Sequence, residues 1–153
     1  MKYLSIFFST IILLSCNNQS TQKEESNTAF KPTITCYLYT LNNDTVKLQL
    51  KDSNNIISGN LDYLPYEKDG TIGTLYDLKF IGDTLFGMYK SYQEGMESVG
   101  EIAMLKKGNT IILTNDNVEG ENYKLDSLYT NGKFVNRSKI TFAGDTLQLV
   151  NCK

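Results

Sequence analysis

Side-chain chemistry needs a nucleophile, a base or a set of metal ligands, and this chain is short of all three. It has no histidine. That removes the commonest general base, the commonest zinc ligand and every Ser-His or Cys-His pair. Three cysteines remain, Cys16, Cys36 and Cys152, with a few groups of carboxylates. Glu94 and Glu97 flank a turn in Glu94-Gly95-Met96-Glu97-Ser98, and Glu101 follows. Paired carboxylates hydrolyse glycosidic bonds only across a shaped cleft with one pKa raised. Nothing in this spacing supplies such a cleft, so the segment reads as a solvated turn or a protein-contact loop. Glu101 faces the core if Val99, Ala103 and Leu105 do, and water if Ile102 and Met104 do. Asn115-Asp116-Asn117-Val118-Glu119-Gly120-Glu121 gathers oxygen ligands but lacks the alternating order of a calcium loop. No catalytic residue, metal or cofactor is expected.

Tyrosine is the one abundant residue with binding chemistry. Tyr37 and Tyr39 alternate on one face, opposite Cys36 and Leu38, and Tyr63, Tyr76 and Tyr89 fall in β-prone runs. Such rings can line a surface or cavity for a small apolar or glycan ligand. The alternative is ordinary packing with the hydroxyls at the rim. Nucleic acid is excluded as a partner. Fifteen Lys+Arg against 17 Asp+Glu leave a net charge of −2, where a dense basic surface would be needed.

The N-terminus has its own logic. Met1-Lys2 is followed by an apolar run over 4–15, too short for a bilayer core that needs roughly 20 residues but long enough for a signal-peptide core. The run ends Leu13-Leu14-Ser15-Cys16. This resembles the lipobox of bacterial lipoproteins. The resemblance implies cleavage after Ser15 and acylation of Cys16, which then holds the chain to a lipid bilayer. Two or more acyl chains give stable attachment where one is marginal. Asn17 follows, where an aspartate would resemble an inner-membrane retention signal, so the outer membrane is the expected destination. Residues 17–32 are polar, with Lys23-Glu24-Glu25 among them and Pro32 at their end. They cannot bury enough surface to offset ordering entropy and read as a flexible tether.

From Thr33 to the end, β-prone runs alternate with Asn/Asp/Gly clusters, the texture of an antiparallel sandwich or barrel. Alternation places Val46, Leu48 and Leu50 on one face, then Ile57, Gly59, Leu61 and Tyr63. It does the same for Ile72, Thr74, Tyr76, Leu78 and Phe80, and for Ile140 with Phe142. Further strands are expected at 34–40, 84–92, 98–106, 110–114 and 146–152, with a short helix hinted at 123–130. Asn43-Asp44-Thr45-Val46, Gly82-Asp83-Thr84-Leu85, Gly108-Asn109-Thr110-Ile111 and Gly144-Asp145-Thr146-Leu147 look like one hairpin device reused. The expected fold is all-β, an antiparallel meander closing into a small lipocalin-like barrel or a strongly bent sandwich. The domains are then 1–15 (signal peptide), 16–32 (lipidated cysteine and tether) and 33–153 (β domain).

Cys36 and Cys152 sit in the first and last expected strands. The compartment beyond the inner membrane is oxidising, so they read as a disulfide, with two buried free thiols as the alternative. Asp44-Thr45-Val46, Asp83-Thr84-Leu85, Asp126-Ser127-Leu128 and Asp145-Thr146-Leu147 resemble an O-glycosylation acceptor of certain bacteria, although hairpin chemistry accounts for most of them.

Gly82-Asp83-Thr84-Leu85, Tyr92-Gln93-Glu94-Gly95-Met96-Glu97-Ser98 and Leu105-Lys106-Lys107-Gly108 resemble a group of uncharacterised small bacterial lipoproteins. That resemblance implies a lipid cysteine, a polar tether and a compact β domain, but no activity. Ser58-Gly59-Asn60-Leu61-Asp62-Tyr63 is similar to the Ser-Gly-x-x-Tyr loop of membrane-bound lysozyme inhibitors. Here the spacing is one residue longer and the basic residue is missing. The expectation is a non-enzymatic envelope lipoprotein binding a small molecule or glycan. The alternative is a protein inhibitor or envelope-assembly partner acting through hairpin loops. Labelled palmitate is expected to enter the chain, and Cys16→Ala to abolish the label and release the protein from membranes. A membrane-bound, unlabelled wild type would contradict the lipobox reading.

Overall fold

The computed structural model describes residues 31–114, 132–134 and 136–153, with the backbone of Tyr129–Thr130. Cys16, the loop Asn115–Glu121 and the Asp126-Ser127 pair lie outside the described residues. So does the expected helix at 123–130, except its last two positions, which are strand.

Strands β1 (Thr33–Leu41), β2 (Asp44–Ser53), β3 (Ile56–Leu64), β4 (Ile72–Ile81), β5 (Thr84–Gln93), β6 (Met96–Lys107) and β7 (Thr110–Leu113) follow one another as a meander. A small hairpin of β8 (Tyr129–Thr130) and β9 (Lys133–Phe134) and a 3₁₀ turn at Arg137–Lys139 come next. Strand β10 (Thr146–Val150) then lies between β7 and β1 and closes an antiparallel barrel. The fold is therefore the barrel and not the bent sandwich.

Alternation of side chains across each strand fills the interior. Leu48, Leu61, Leu75, Leu85, Met104, Ile111 and Leu147, one from each of seven strands, are at most 1% exposed, and Tyr37 of β1 is buried beside them. An eight-stranded barrel is just wide enough for side chains to fill. Val46, Leu48, Leu50, Ile57, Leu61 and Tyr63 occupy the faces that their alternation predicts.

Five connections of the barrel are two-residue hairpin turns, and their backbone explains their sequence. Asn42 and Asn43 have φ of 48° and 73°, Asn54 and Asn55 of 58° and 66°, and Glu94 and Gly95 of 49° and 80°. Positive φ at both central residues marks type I′, whose twist matches the strands it joins. Gly82 and Gly108 take φ of 59° and 56° at the first central position, as type II′ requires.

Three sequence expectations change. First, the alternation through β4 is broken. Pairing shifts register between Tyr76 and Lys79 around Asp77, whose φ is 54°. A bulge adds one residue and reverses the phase. Before it Gly73 and Leu75 point inward, so Ile72, Thr74 and Tyr76 are on the outside. After it Leu78 returns to the core. Second, Ile140 and Phe142 belong to an irregular link, not to a strand. Third, Gly144-Asp145 is not a hairpin. Gly144 N–H donates to Leu113 O at 3.1 Å, and Leu113 N–H donates to Asp145 O at 3.0 Å. A Cβ at Gly144 would lie 2.5 Å from Thr114 O, so this close approach needs glycine.

Cys36 and Cys152 form a disulfide with Cα atoms 5.3 Å apart across 116 residues. It locks the seam at which Cys36 faces Val150. A loop of that length restricts the unfolded chain strongly. The Cys36→Ala/Cys152→Ala variant is expected to lose about 2–5 kcal/mol of stability in urea unfolding. An unchanged midpoint would show that strand pairing alone holds the seam.

Candidate functional site

The tyrosines separate by strand phase. Tyr37 is buried, and Tyr39, Tyr63 and Tyr89 pack against the core. Tyr76 lies outside, because the β4 bulge reverses its face. Tyr89 is an internal strut. Its ring covers Gly73, where a Cβ would fall 1.9 Å from Cε2, and its hydroxyl donates to Leu61 O at 3.1 Å. Burial and nearby Asp62 push its pKa up to about 12. Burial also raises the pKa of Tyr37. At the rim, burial raises the Asp145 pKa, while a hydrogen bond from Tyr39 opposes the shift. These rings belong to the packing of the barrel core.

The carboxylates of the hairpin segment do not converge. Glu97 pairs with Lys90 at 2.8 Å, and that bond raises the Lys90 pKa. Ile102 and Met104 face the core, which turns Glu101 outward. It is nevertheless shielded, with a side chain 16% exposed. Its carboxylate accepts from Phe134 N at 2.8 Å and Arg137 Nη2 at 3.0 Å, and its own N–H donates to Gly132 O at 2.7 Å. Arg137 also lies 4.6 Å from the Phe86 ring centroid. Glu101 thus clips the segment after β8 onto the outer face of β5 and β6. Only the placement of Ala103, outward yet fully buried, would have signalled this cover. Nothing local in the sequence links residues so far apart.

The barrel has two ends. Strand directions place the turns Leu41–Asp44 and Gln93–Met96 and the connection from Leu64 to Thr71 at the end far from Thr33, called distal here. The connection is tied down by Tyr66 N donating to Asp44 Oδ1 at 2.7 Å, by paired backbone bonds between Tyr63 and Thr71, and by Thr71 Oγ1 donating to Gln93 Oε1 at 3.0 Å. Between it and the hairpin turn opens a cleft of about 710 Å³, lined by Pro65, Glu67, Lys68, Asp69, Gln93 and Glu94. Beside it, Ile72 and Tyr92 are cross-strand partners on the outer face. They are 63% and 55% exposed, with Met96 at 68% and Tyr66 and Val99 also exposed. Sequence reasoning identified Glu94 and Glu97 but missed this apolar group, because Ile72 read as core until the bulge moved it outward.

Ser58–Tyr63 lies within β3, with Leu61 fully buried. Among the described residues no three His, Cys, Asp or Glu side chains are grouped to hold a metal, and no helix is long and apolar enough to cross a membrane. The chain matches no protein-family model, no curated protein and no solved structure.

Tyr89→Phe removes the donor to Leu61 O and is expected to cost about 1 kcal/mol at neutral pH. Because the folded pKa exceeds the unfolded one, the neutral phenol stabilises the fold fully below pH 10. That contribution is lost as pH rises through about 12. Stability measured across this window should therefore fall less steeply in Tyr89→Phe than in the wild type. Parallel curves would contradict the strut.

Proposed function

We propose that this chain is a lipid-anchored, non-enzymatic binding protein of the bacterial cell envelope, held through acylated Cys16 on the outer membrane. It binds an envelope protein through the distal end of the barrel. The observation that carries this reading is the distal cross-strand pair of Ile72 and Tyr92 on the outer face, with Met96 exposed at the adjoining turn. It is apolar, exposed and built on paired strands, with Glu67, Asp69 and Glu94 around the adjoining cleft. Contiguous apolar side chains rimmed by polar ones mark interaction sites, and tyrosine and methionine are enriched in interface cores. The acidic rim favours a partner with a basic, apolar face.

A second reading is a glycan or other small polar ligand in the cleft, supported by the charged and amide groups that line it and by Tyr66 in the same connection. The packed interior favours either surface over a ligand inside the barrel.

The triple variant Ile72→Ser/Tyr92→Ser/Met96→Ser removes the apolar group at exposed positions and should keep the wild-type unfolding midpoint. An envelope protein captured by the wild type is expected to be lost with this variant and retained by Glu67→Gln/Asp69→Asn. Loss of a bound glycan with the second variant alone would favour the cleft. Identical capture by all three proteins would reject a distal site.

A further inference from the structure

The two ends of the barrel differ in charge, and the chain enters at one of them. Thr33 opens β1 at the end formed by the turns Ser53–Ile56, Ile81–Thr84 and Lys107–Thr110 and by the chain after Val150. This proximal end exposes apolar side chains in positions that usually carry polar ones. Ile56 is 72% and Ile81 57% exposed, and Ile34, Phe80 and Leu149 are exposed as well. Lys51, Lys79, Lys106, Lys107 and Lys153 lie at or within a few residues of the same strand ends. Their carboxylate neighbours in the turns are Asp52, which already accepts Asn55 N–H at 2.9 Å, and Asp83. The Lys106 ammonium lies 5.8 Å from the Phe80 ring centroid, so one cation sits directly beside the apolar group. The distal end has the opposite balance. Among the described residues Asp44, Asp62, Glu67, Asp69, Glu94 and Asp145 stand there against Lys47 and Lys68, while Lys90 is neutralised by Glu97.

We infer that the proximal end is a membrane-docking surface for a bilayer with anionic headgroups. Ile34, Ile56, Phe80 and Ile81 seat in the headgroup region, and Lys106 and Lys107 face lipid phosphates. Apolar side chains with lysines around them are the composition that binds such an interface. The point of chain entry selects this occupant. Residues 17–32 join Cys16 to Thr33, and Thr33 opens β1 at this end, so a chain anchored at Cys16 is joined to the barrel here. Docking then points the acidic distal end outward. The inference rests on the anchoring proposed above, and its test separates the two.

The chain contains no tryptophan, so a single introduced one reports its own depth. The barrel strands lie wholly within residues 33–153, which permits replacement of residues 1–15 by a hexahistidine tag, with Cys16→Ser. The protein is held on vesicles through a nickel-chelating lipid, whatever the cell does to Cys16. Vesicles of phosphatidylglycerol or phosphatidylcholine with brominated acyl chains are compared. Ile81→Trp and, in a separate turn, Ile56→Trp are expected to show blue-shifted, quenched emission on the anionic vesicles, while Glu94→Trp remains unquenched. Lys106→Gln/Lys107→Gln in the Ile81→Trp background should lower the quenching by about half. Equal quenching at Ile81→Trp, Ile56→Trp and Glu94→Trp, or deeper quenching at Glu94→Trp, would overturn the inference. Failed palmitate labelling with the expected quenching would reject the lipid anchor and leave the docking surface standing.

Discussion

The seam between β1 and β10 decides whether this sheet is a barrel or an open ribbon. Cys36, Tyr37 and Leu38 pair with Val150, Leu149 and Gln148, residues from opposite ends of the folded chain. Bringing them together costs more loop-closure entropy than any neighbouring hairpin. Without the seam, β1 and β10 would each present an unpaired edge, a template for pairing with another chain. Three features offset the cost. The disulfide shortens the search, the Gly144 approach fastens β10 to the end of β7, and the layer of Leu, Ile and Met across the barrel needs both walls to stay dry. Burying each such side chain contributes about 1.5–3 kcal/mol, and an open ribbon would forfeit much of it.

The interior of the barrel is a hydrophobic core. Tyr37, Tyr39, Tyr63 and Tyr89 are the residues a ligand-binding barrel would turn toward its cavity, and here they complete the packing. The Tyr89 hydroxyl has its acceptor in Leu61 O, so the ring contributes apolar area without leaving a polar atom stranded. The surface then divides by position. The β5–β6 face is covered where Glu101, Arg137 and Phe86 meet, and left open nearer the distal end, where Ile72 and Tyr92 lie side by side.

The strand directions also give the barrel a polarity. An antiparallel meander sends alternate turns to opposite ends, so turn residues sort by parity along the chain. The type I′ turn at Glu94-Gly95 falls at the acidic end, and the Gly108 turn, preceded by Lys106-Lys107, falls at the basic end. Such segregation needs no long-range design, only that successive turns alternate in charge.

Local periodicity and turn chemistry carried most of the fold in the sequence, because they depend on near neighbours. The alternation of β2 and β3 and the Asn and Gly positions of the hairpins could be read from single segments, and the cysteine pair from the strands expected at either end. The lipobox likeness at Leu13-Leu14-Ser15-Cys16 is a property of the primary sequence alone. What only the tertiary structure decided depends on contacts between distant segments. The Asp77 bulge shifts register against β5 and puts Ile72 and Tyr76 outside, although their spacing reads as core. Glu101 is held by Arg137 after a long excursion. Gly144 is glycine because β7 passes close by, not because a turn requires it. Whether the barrel is hollow or solid is likewise a matter of volume. Strand number sets the space and the inward side chains fill it, and neither is known until β10 has closed against β1.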